Sequence, residues 1–427
     1  HHGHANTETI VGHATLATGA HPATHGQVGN VWYDKATGEL TYNIEDPDHP
    51  LLPTRVEARE GAQVDPAQAA ARTKGRSPRS LLVPTIGDTL ATAVGPKAKV
   101  FGISGKDRSA VAMAGQVGKA FWFSTDTGDF QTSRYYYDGY PAWVRAWNDE
   151  RRAERYAGQQ WALLLEPAAY QWADRDDRPY EVDLKGYGRV FPHAFGEASH
   201  PLFATRLLVS PVGDRLLKEF AIALIEAEAL GEDEVTDYLS VSFSGVDAVN
   251  HFFGVASLEN EDVVVQLDRI LAELLRYVDK TVGLRNTLIV LSADHGMAEM
   301  PEYMAELGYP AQRVYSEQVE ALADALGKNL FGIDDIARDF FRPSLYLDHE
   351  RIAAAGLDVS EVAVALAAEL SAEESIGMAR ATAELLAREH EGVAVQMQRT
   401  AHRARSGDIY IAQPPSWFMF EKGPVAA

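Results

Sequence analysis

The sequence has no cysteine among its 427 residues. That excludes a disulfide framework and any thiolate metal site, and it leaves the cellular compartment open. There is no run of about 18 apolar residues, the length a membrane-spanning helix needs. The opening residues, His1 to His4, contain no apolar signal core. Positive charge is scarce: 39 Lys and Arg stand against 61 Asp and Glu, a formal net charge of −22. Such a chain repels nucleic acid and acidic membrane surfaces, and no basic arm offsets this. A small anionic substrate therefore needs a locally built positive site. No internal repeat is visible. What remains is an ordinary globular composition, 46% hydrophobic and 23% charged, in a chain long enough to bury a large core.

Five apolar runs read as strands: Lys97 to Ser104, Lys119 to Ser124, Tyr238 to Phe243, Asn286 to Ser292 and, more weakly, Asp408 to Ala412. Near-continuous apolar runs suit strands buried on both faces. Between them lie amphipathic helices. One spans Asp214 to Leu230. In the other, Glu259 to Val282, residues Val263, Leu267, Ile270, Leu271, Leu274, Leu275 and Val278 recur at three- and four-residue spacing. Alternating strands and helices predict an α/β sheet covered on both sides. Two regions read as insertions on it: about 126–205, aromatic-rich and irregular, and about 300–405, rich in Ala and Glu and expected to be mostly helical. The polar stretch 55–80 reads as a mobile surface loop.

Candidate chemistry gathers at the ends of these runs. Asp294-His295-Gly296 follows one apolar run directly, and in open α/β sheets the functional crevice lies beyond the carboxyl ends of strands. An adjacent Asp and His can ligate one metal or form an ordinary turn. Asp247 and His251 follow another run at a spacing of four, which puts both on one helix face. They are either a mixed O and N ligand pair, suited to Zn²⁺ and related ions, or a capping Asp and a core His. Two such pairs in one chain favour a two-metal site. At the chain start, a helix is predicted from Ile10 to Thr18, stopped by Gly19. Thr9 then sits at its N-terminus, where amide groups and the helix dipole hold a phosphate and a hydroxyl can serve as nucleophile, or simply as a cap. Asn30, after Gly29, offers an amide donor or a turn. Lys106 and Arg108, two apart after the run ending at Ser104, can bracket an anion. The histidines His1, His2, His4, His25, His193, His200, His349, His390 and His402 read as surface loop residues.

Taken in order, T-x-x-G-H-A-T from Thr9, G-N-x-W-Y from Gly29, S-G-K-D-R from Ser104, F-S-x-x-D-x-x-x-H from Phe243 and A-D-H-G from Ala293 resemble the type I phosphodiesterase/nucleotide pyrophosphatase family of the alkaline phosphatase superfamily. The resemblance is strongest to its Thr-nucleophile, phosphate-irrepressible alkaline phosphatases. It implies one α/β domain, a doubly wound mixed sheet covered by helices on both faces, with the two insertions as a cap. It implies hydrolysis of small phosphate monoesters through a phosphothreonine at Thr9, with two divalent metal ions, expected to be zinc. Asp294 and His295 match ligands of one metal, which Thr9 also touches, and Asp247 and His251 match ligands of the other. Asn30, Lys106 and Arg108 match groups that bind phosphoryl oxygens, and the Lys/Arg pair marks the monoesterases. The family pattern has a further Asp before the Thr motif and a last His in an H-G motif. Eight residues precede Thr9, none an Asp, and no H-G follows the run at 408–412. The expectation is thus of a chain cut at both ends, periplasmic or secreted. The alternatives are a phosphodiesterase or nucleotide pyrophosphatase, or a non-catalytic fragment that binds metal or phosphoryl groups.

Overall fold

Apolar side chains on alternating sides of an extended run must be buried twice, once on each face, and two of the predicted runs are placed accordingly. The computed structural model describes residues 2–35, 37–54 and 64–420. Strands β1 (Val100–Ser104), β2 (Lys119–Phe123), β3 (Phe130–Gln131) and β4 (Tyr238–Ser242) form a mixed sheet in the order β3-β2-β1-β4. Strand β1 runs parallel to both neighbours, with Gly102 opposite Ala120 on one side and Ser240 on the other. Strand β3 pairs antiparallel with β2.

The two-residue alternation of a strand separates two cores. Phe101, Ile103, Phe121 and Phe123 face one side. There they meet Leu216, Leu217, Phe220 and Leu224 of helix α3 (Pro211–Ala227), Val249 and Phe253 of α4 (Gly245–Phe253), and Val263 of α5 (Leu258–Thr281). Ala120 and Trp122 face the other, against Ile10 and Val11 of α1 (Thr9–Thr18) and Ala110, Val111 and Ala114 of α2 (Asp107–Ala114). Each fully buried large side chain contributes about 1.5–3 kcal/mol, so these layers fix where the strand ends lie. Region 126–205 is irregular, as expected. Its Trp147, Trp161, Tyr187 and Phe195 extend the α3 side of the core, where Phe130 stacks on Phe220 with ring centroids 3.9 Å apart.

Two of the expected strands are placed differently. Residues 287–292 form no strand and pair with none among the described residues; Leu288, Val290 and Leu291 are 91%, 80% and 82% exposed. The apolar pattern there predicts burial, and burial requires a neighbouring strand. Residues 409–412 do form a strand, but in another sheet. Strands β5 (Ala337–Phe341), β6 (Ser344–Leu347), β7 (Met378–Ala381) and β8 (Ile409–Ala412) form an antiparallel sheet in the order β5-β6-β8-β7. The region 300–405 is chiefly helical, as expected, but it also supplies strands: segments such as 337–341 and 378–381 carry little strand propensity and are recruited by packing on this second core. Of the stretch expected to be a mobile loop, 55–63 lies outside the described residues. Residues 64–80 are anchored, with Arg76 and Ser77 buried.

Helix α1 crosses the end of the 287–294 segment so closely that a Cβ at Gly12 would lie 1.9 Å from the carbonyl oxygen of Asp294. Intrinsic propensity favours Ala over Gly in a helix by about 1 kcal/mol. Gly12→Ala is nonetheless expected to destabilise, because backbone has to move. Thermal unfolding is the check, and a raised midpoint would show that α1 does not sit against Asp294.

Candidate active site

Thr9 opens α1. The preceding residue, Glu8, is extended, with φ −83° and ψ 162°, and its side chain does not cap the helix. Its Oε2 instead accepts the Asn30 N–H at 2.5 Å. Gly19 ends the helix in the left-handed conformation, φ 66°. The Oδ1 of Asn30 accepts the Ile10 N–H at 3.4 Å, while its Nδ2 has no hydrogen-bond partner among the described residues. The side-chain amide is thus fastened to the helix N-terminus by its acceptor and keeps its donors. Thr9, Asn30, Lys106, Arg108, His251 and His295 all line one cavity of about 1160 Å³.

The cationic side of this cavity is built at the turn from β1 into α2. The Lys106 N–H donates to Ser104 Oγ at 3.0 Å, and Lys106 Nζ contacts Asp247 Oδ2. Arg108 is 3% exposed, and its Nη1 donates to Asp65 Oδ2 at 2.6 Å, while Nε has no partner. Burial opposes ionisation of both, yet their mutual attraction outweighs it: Arg108 is held well above its ordinary pKa and the Asp65 carboxyl below its own. Asp107, between the two cations, accepts from Tyr42 Oη at 2.7 Å and from Gln68 Nε2 and Arg76 Nε at 2.8 Å. Residues 65–76 are thereby tied to α2, which is why the polar composition of 64–80 did not make a loose loop.

The two carboxylate–imidazole pairs meet. Asp247 and His251 lie one turn apart on α4, Oδ2 to Nε2 3.6 Å. His295 Nε2 is 3.3 Å from Asp294 Oδ2 and 3.6 Å from Asp247 Oδ1. A residue not predicted from the sequence joins them to Thr9. His13, buried on α1, places Nδ1 at 2.8 Å from the Thr9 carbonyl and 3.1 Å from Asp294 Oδ2, and Nε2 at 2.9 Å from Ser242 Oγ. The carbonyl only accepts, so Nδ1 carries the hydrogen and the Ser242 hydroxyl donates to Nε2. The available signal was its position four residues after Thr9, on the same helix face. Burial works against the charge of Asp247, but Lys106, His251 and His295 hold its carboxyl well below the usual range. Asp294, likewise opposed by burial, is brought down to about 2 by His13 and His295.

Both carboxylates are thus kept ionised, and Asp247 Oδ1 is buried with no hydrogen-bond partner. Mixed O and N donors of this kind fit Zn²⁺ and related divalent ions. Among the described residues, no three such donors close on a single point.

Asp214 is a second residue that sequence reading passed over. From α3 its Oδ1 accepts the N–H groups of Ser244 and Gly245, both at 3.0 Å, and so fixes the first turn of α4, which carries Asp247. A Cβ at Gly245 would lie 2.5 Å from its Oδ2, so glycine is required there.

The sequence model of the family described as type I phosphodiesterase / nucleotide pyrophosphatase matches residues 1–424. The chain is 32% identical over 428 residues to a protein of Myroides odoratus named calcium-transporting ATPase, covering 97% of this chain and 74% of that one. It is 32% identical over 410 residues to alkaline phosphatase PafA of Elizabethkingia meningoseptica, covering 95% and 72%. It is similar in structure to wild-type PafA, with a TM-score of 0.87 at 30% identity over 98% of this chain and 78% of that one. A PafA variant with a threonine, an asparagine, a lysine and an arginine replaced gives 0.88 at 29% identity, over 99% and 79%.

Burial raises the Asp214 carboxyl to about 7 from its ordinary 3.8, against the pull of the two amides. Between those values the folded chain holds a proton that the unfolded chain has released, so stability falls as pH rises through that window. Asparagine keeps the acceptor and carries no charge. Asp214→Asn is therefore expected to gain stability relative to the parent as pH rises from 5 to 9, by on the order of 1–3 kcal/mol. Melting temperatures across that range measure it, and a constant difference between the two chains refutes the buried-carboxyl assignment.

Proposed function

This chain belongs to the type I phosphodiesterase / nucleotide pyrophosphatase family, and from that premise we propose that it is an alkaline phosphatase that hydrolyses phosphate monoesters through a phosphothreonine at Thr9. It is a hydrolase of phosphoric esters. The observation that carries the finer reading is one cavity in which a hydroxyl at a helix N-terminus faces an amide, a lysine and a buried arginine. In the PafA variant the replaced threonine and asparagine lie 21 positions apart and the replaced lysine and arginine two apart, the separations of Thr9 from Asn30 and of Lys106 from Arg108.

In this reading two divalent ions, zinc by the donor set, would be held by Asp247 with His251 and by Asp294 with His295 and Thr9; they supply acidification of the threonine hydroxyl and neutralisation of the leaving oxygen. The rest is done by the chain. The Thr9 oxygen attacks phosphorus in line, forming a new P–O bond as the ester P–O bond breaks, and the alcohol leaves with the electron pair. Water then attacks phospho-Thr9, releasing inorganic phosphate and restoring the hydroxyl. Asn30 Nδ2, Lys106 Nζ and the Arg108 guanidinium donate to the phosphoryl oxygens, aided by the free amides of the first turn of α1. His13 holds the Thr9 carbonyl and Asp294 in a fixed relation during both steps. Small phosphate esters are the substrates, and a periplasmic or secreted location is what the family resemblance supports. Among the described residues, no helix is long and apolar enough to cross a membrane.

Two experiments test this reading. Thr9→Ala is expected to abolish acid-stable phosphothreonine and cut turnover by orders of magnitude, whereas Thr9→Ser retains part of it because the hydroxyl survives. Normal phosphothreonine trapping in the alanine variant refutes the nucleophile. The second compares substrates. A monoester carries about two negative charges near neutral pH and a diester one, so Lys106→Ala with Arg108→Ala should lower monoester kcat/KM far more than diester kcat/KM. The differential is expected to exceed tenfold, about 1.4 kcal/mol. Equal losses on both substrates would favour a diesterase or pyrophosphatase.

A further inference from the structure

Glu8 stands at the N-cap position of α1, where a carboxylate ordinarily accepts from the amides of the first turn. It makes no such bond. Its Oε2 accepts the Asn30 N–H at 2.5 Å instead. Two further contacts tie the start of α1 to residues 28–30. Asn6 Nδ2 donates to the Val28 carbonyl at 2.8 Å, and the Ile10 N–H donates to Asn30 Oδ1 at 3.4 Å. The Asn6 carbonyl accepts from His4 Nδ1 at 2.6 Å. His4, like His25 and His193, is buried and is not the surface residue its sequence context suggested. On its other side, the Asn30 carbonyl accepts from Asn43, from the N–H at 3.2 Å and from Nδ2 at 2.7 Å. Every polar atom of Asn30 except Nδ2 is thus occupied, which leaves Nδ2 for a phosphoryl oxygen.

Glu8 is 5% exposed and lines the same cavity as Thr9 and Asn30. Its second oxygen, Oε1, is buried with no hydrogen-bond partner, and Arg342 Nη2 lies 3.7 Å from it. Arg342 belongs to the turn between β5 and β6 of the second sheet and lines the cavity as well. Its guanidinium is steadied from that side: Nη1 donates to the Met419 carbonyl at 3.4 Å, and Cζ lies 5.2 Å from the centre of the Phe418 ring. A carboxylate beside a site for a dianion opposes binding, and a neighbouring guanidinium offsets that opposition. An N–H bond to a carboxylate is roughly twice as strong as one to a neutral acceptor. Glu8 therefore holds Asn30 strongly, and Arg342 is what allows a carboxylate to stand there.

We propose that Glu8 is a positioning residue of the phosphoryl site, and that the second sheet keeps it in place through Arg342. The inference rests on the reading of Asn30 as a phosphoryl donor. In this role Glu8 touches neither the substrate nor the reacting atoms. It fixes the backbone of Asn30 from the residue next to Thr9, so the hydroxyl and the amide donor keep one separation throughout the reaction. Had Glu8 capped α1, its carboxylate would have filled first-turn amides that a phosphoryl group can use. Its bond to Asn30 leaves them open. A donor set before the substrate arrives needs little reorganisation as charge develops. The turn at Arg342 is more than 300 positions from Glu8 in sequence, so only folding of the second sheet against α1 completes the arrangement.

The test is a double-mutant cycle on the zinc-loaded 427-residue chain, read both as monoester kcat/KM and as affinity for inorganic phosphate. Glu8→Ala is expected to lower each by about tenfold. In an Asn30→Ala background the same change should cost less than about threefold, because the group it positions is gone. Glu8→Gln keeps an acceptor oxygen and should stay within about threefold of the parent. Arg342→Ala should fall between the two Glu8 variants and add little once Glu8 is alanine. A Glu8→Ala loss that persists in full in the Asn30→Ala background overturns the proposal in favour of an independent role for Glu8. A glutamine variant as poor as the alanine one overturns it too. An Arg342→Ala loss undiminished by Glu8→Ala overturns the link to the second sheet in favour of direct contact between the arginine and the substrate. The affinity cycle requires no turnover and applies equally in a Thr9→Ala chain. It therefore decides the role of Glu8 even where hydrolysis fails, and absence of hydrolysis bears on the phosphatase reading alone.

Discussion

The geometry of the cavity that Thr9 lines depends on how closely α1 approaches the residue that follows 287–293. The Asp294 carbonyl occupies space that any side chain at position 12 would fill, and one residue further along, His13 touches Thr9, Asp294 and Ser242 with its two ring nitrogens. A helix start, a strand end and a loop aspartate are thus registered against one another by a single imidazole that has room only because its neighbour is glycine. If α1 moved outward, His13 would leave Asp294 and the Ile10 N–H would leave Asn30 together. Thr9, one carboxylate–imidazole pair and the Asn30 amide are therefore positioned as a unit rather than one by one.

The sequence was most informative where chemistry and local geometry coincide. Helix α1 was expected from 10 to 18 and runs from 9 to 18, because Gly19 ends it by a conformational rule that needs no tertiary context. Asp247 and His251 were expected on one helix face and stand 3.6 Å apart on α4. It was least informative where a residue acts through a partner distant in sequence. Asp65 and Asp214 look like ordinary loop and helix aspartates until Arg108 and the first turn of α4 are folded against them, 43 and 30 residues away. Composition misled in the same way at 64–80, where Gln68 and Arg76 read as solvated and are instead ligands of a buried Asp107. The apolar run at 287–292 shows the opposite failure. Its pattern encodes what would bury it, not whether pairing occurs among the described residues.

The chain carries a net charge of −22, and the proposed anion site has to be built locally against it. The chain does this by holding its two cations differently. Lys106 sits on a flexible stem and contacts Asp247, so its ammonium is able to exchange one oxygen for another. Arg108 is buried, stays charged beside Asp65, and retains an Nε hydrogen with no partner. Its orientation is fixed by a carboxylate before any substrate arrives. A fixed, dry donor stabilises developing phosphoryl charge more than a mobile solvated one, because little reorganisation is left to do at the moment of reaction. The surrounding excess of carboxylates does not cancel this. Solvent screens charges beyond about 8–10 Å at physiological salt, whereas the Asp65, Asp107 and Arg76 network acts at hydrogen-bond distance. Long-range repulsion therefore affects how fast a dianionic ester arrives, and the short-range lattice decides how it is held. That separation also accounts for the importance of the nominally disordered composition of 64–80. Those residues supply the charges that orient Arg108, and a polar segment serves this purpose because its side chains end in groups that reach a buried partner.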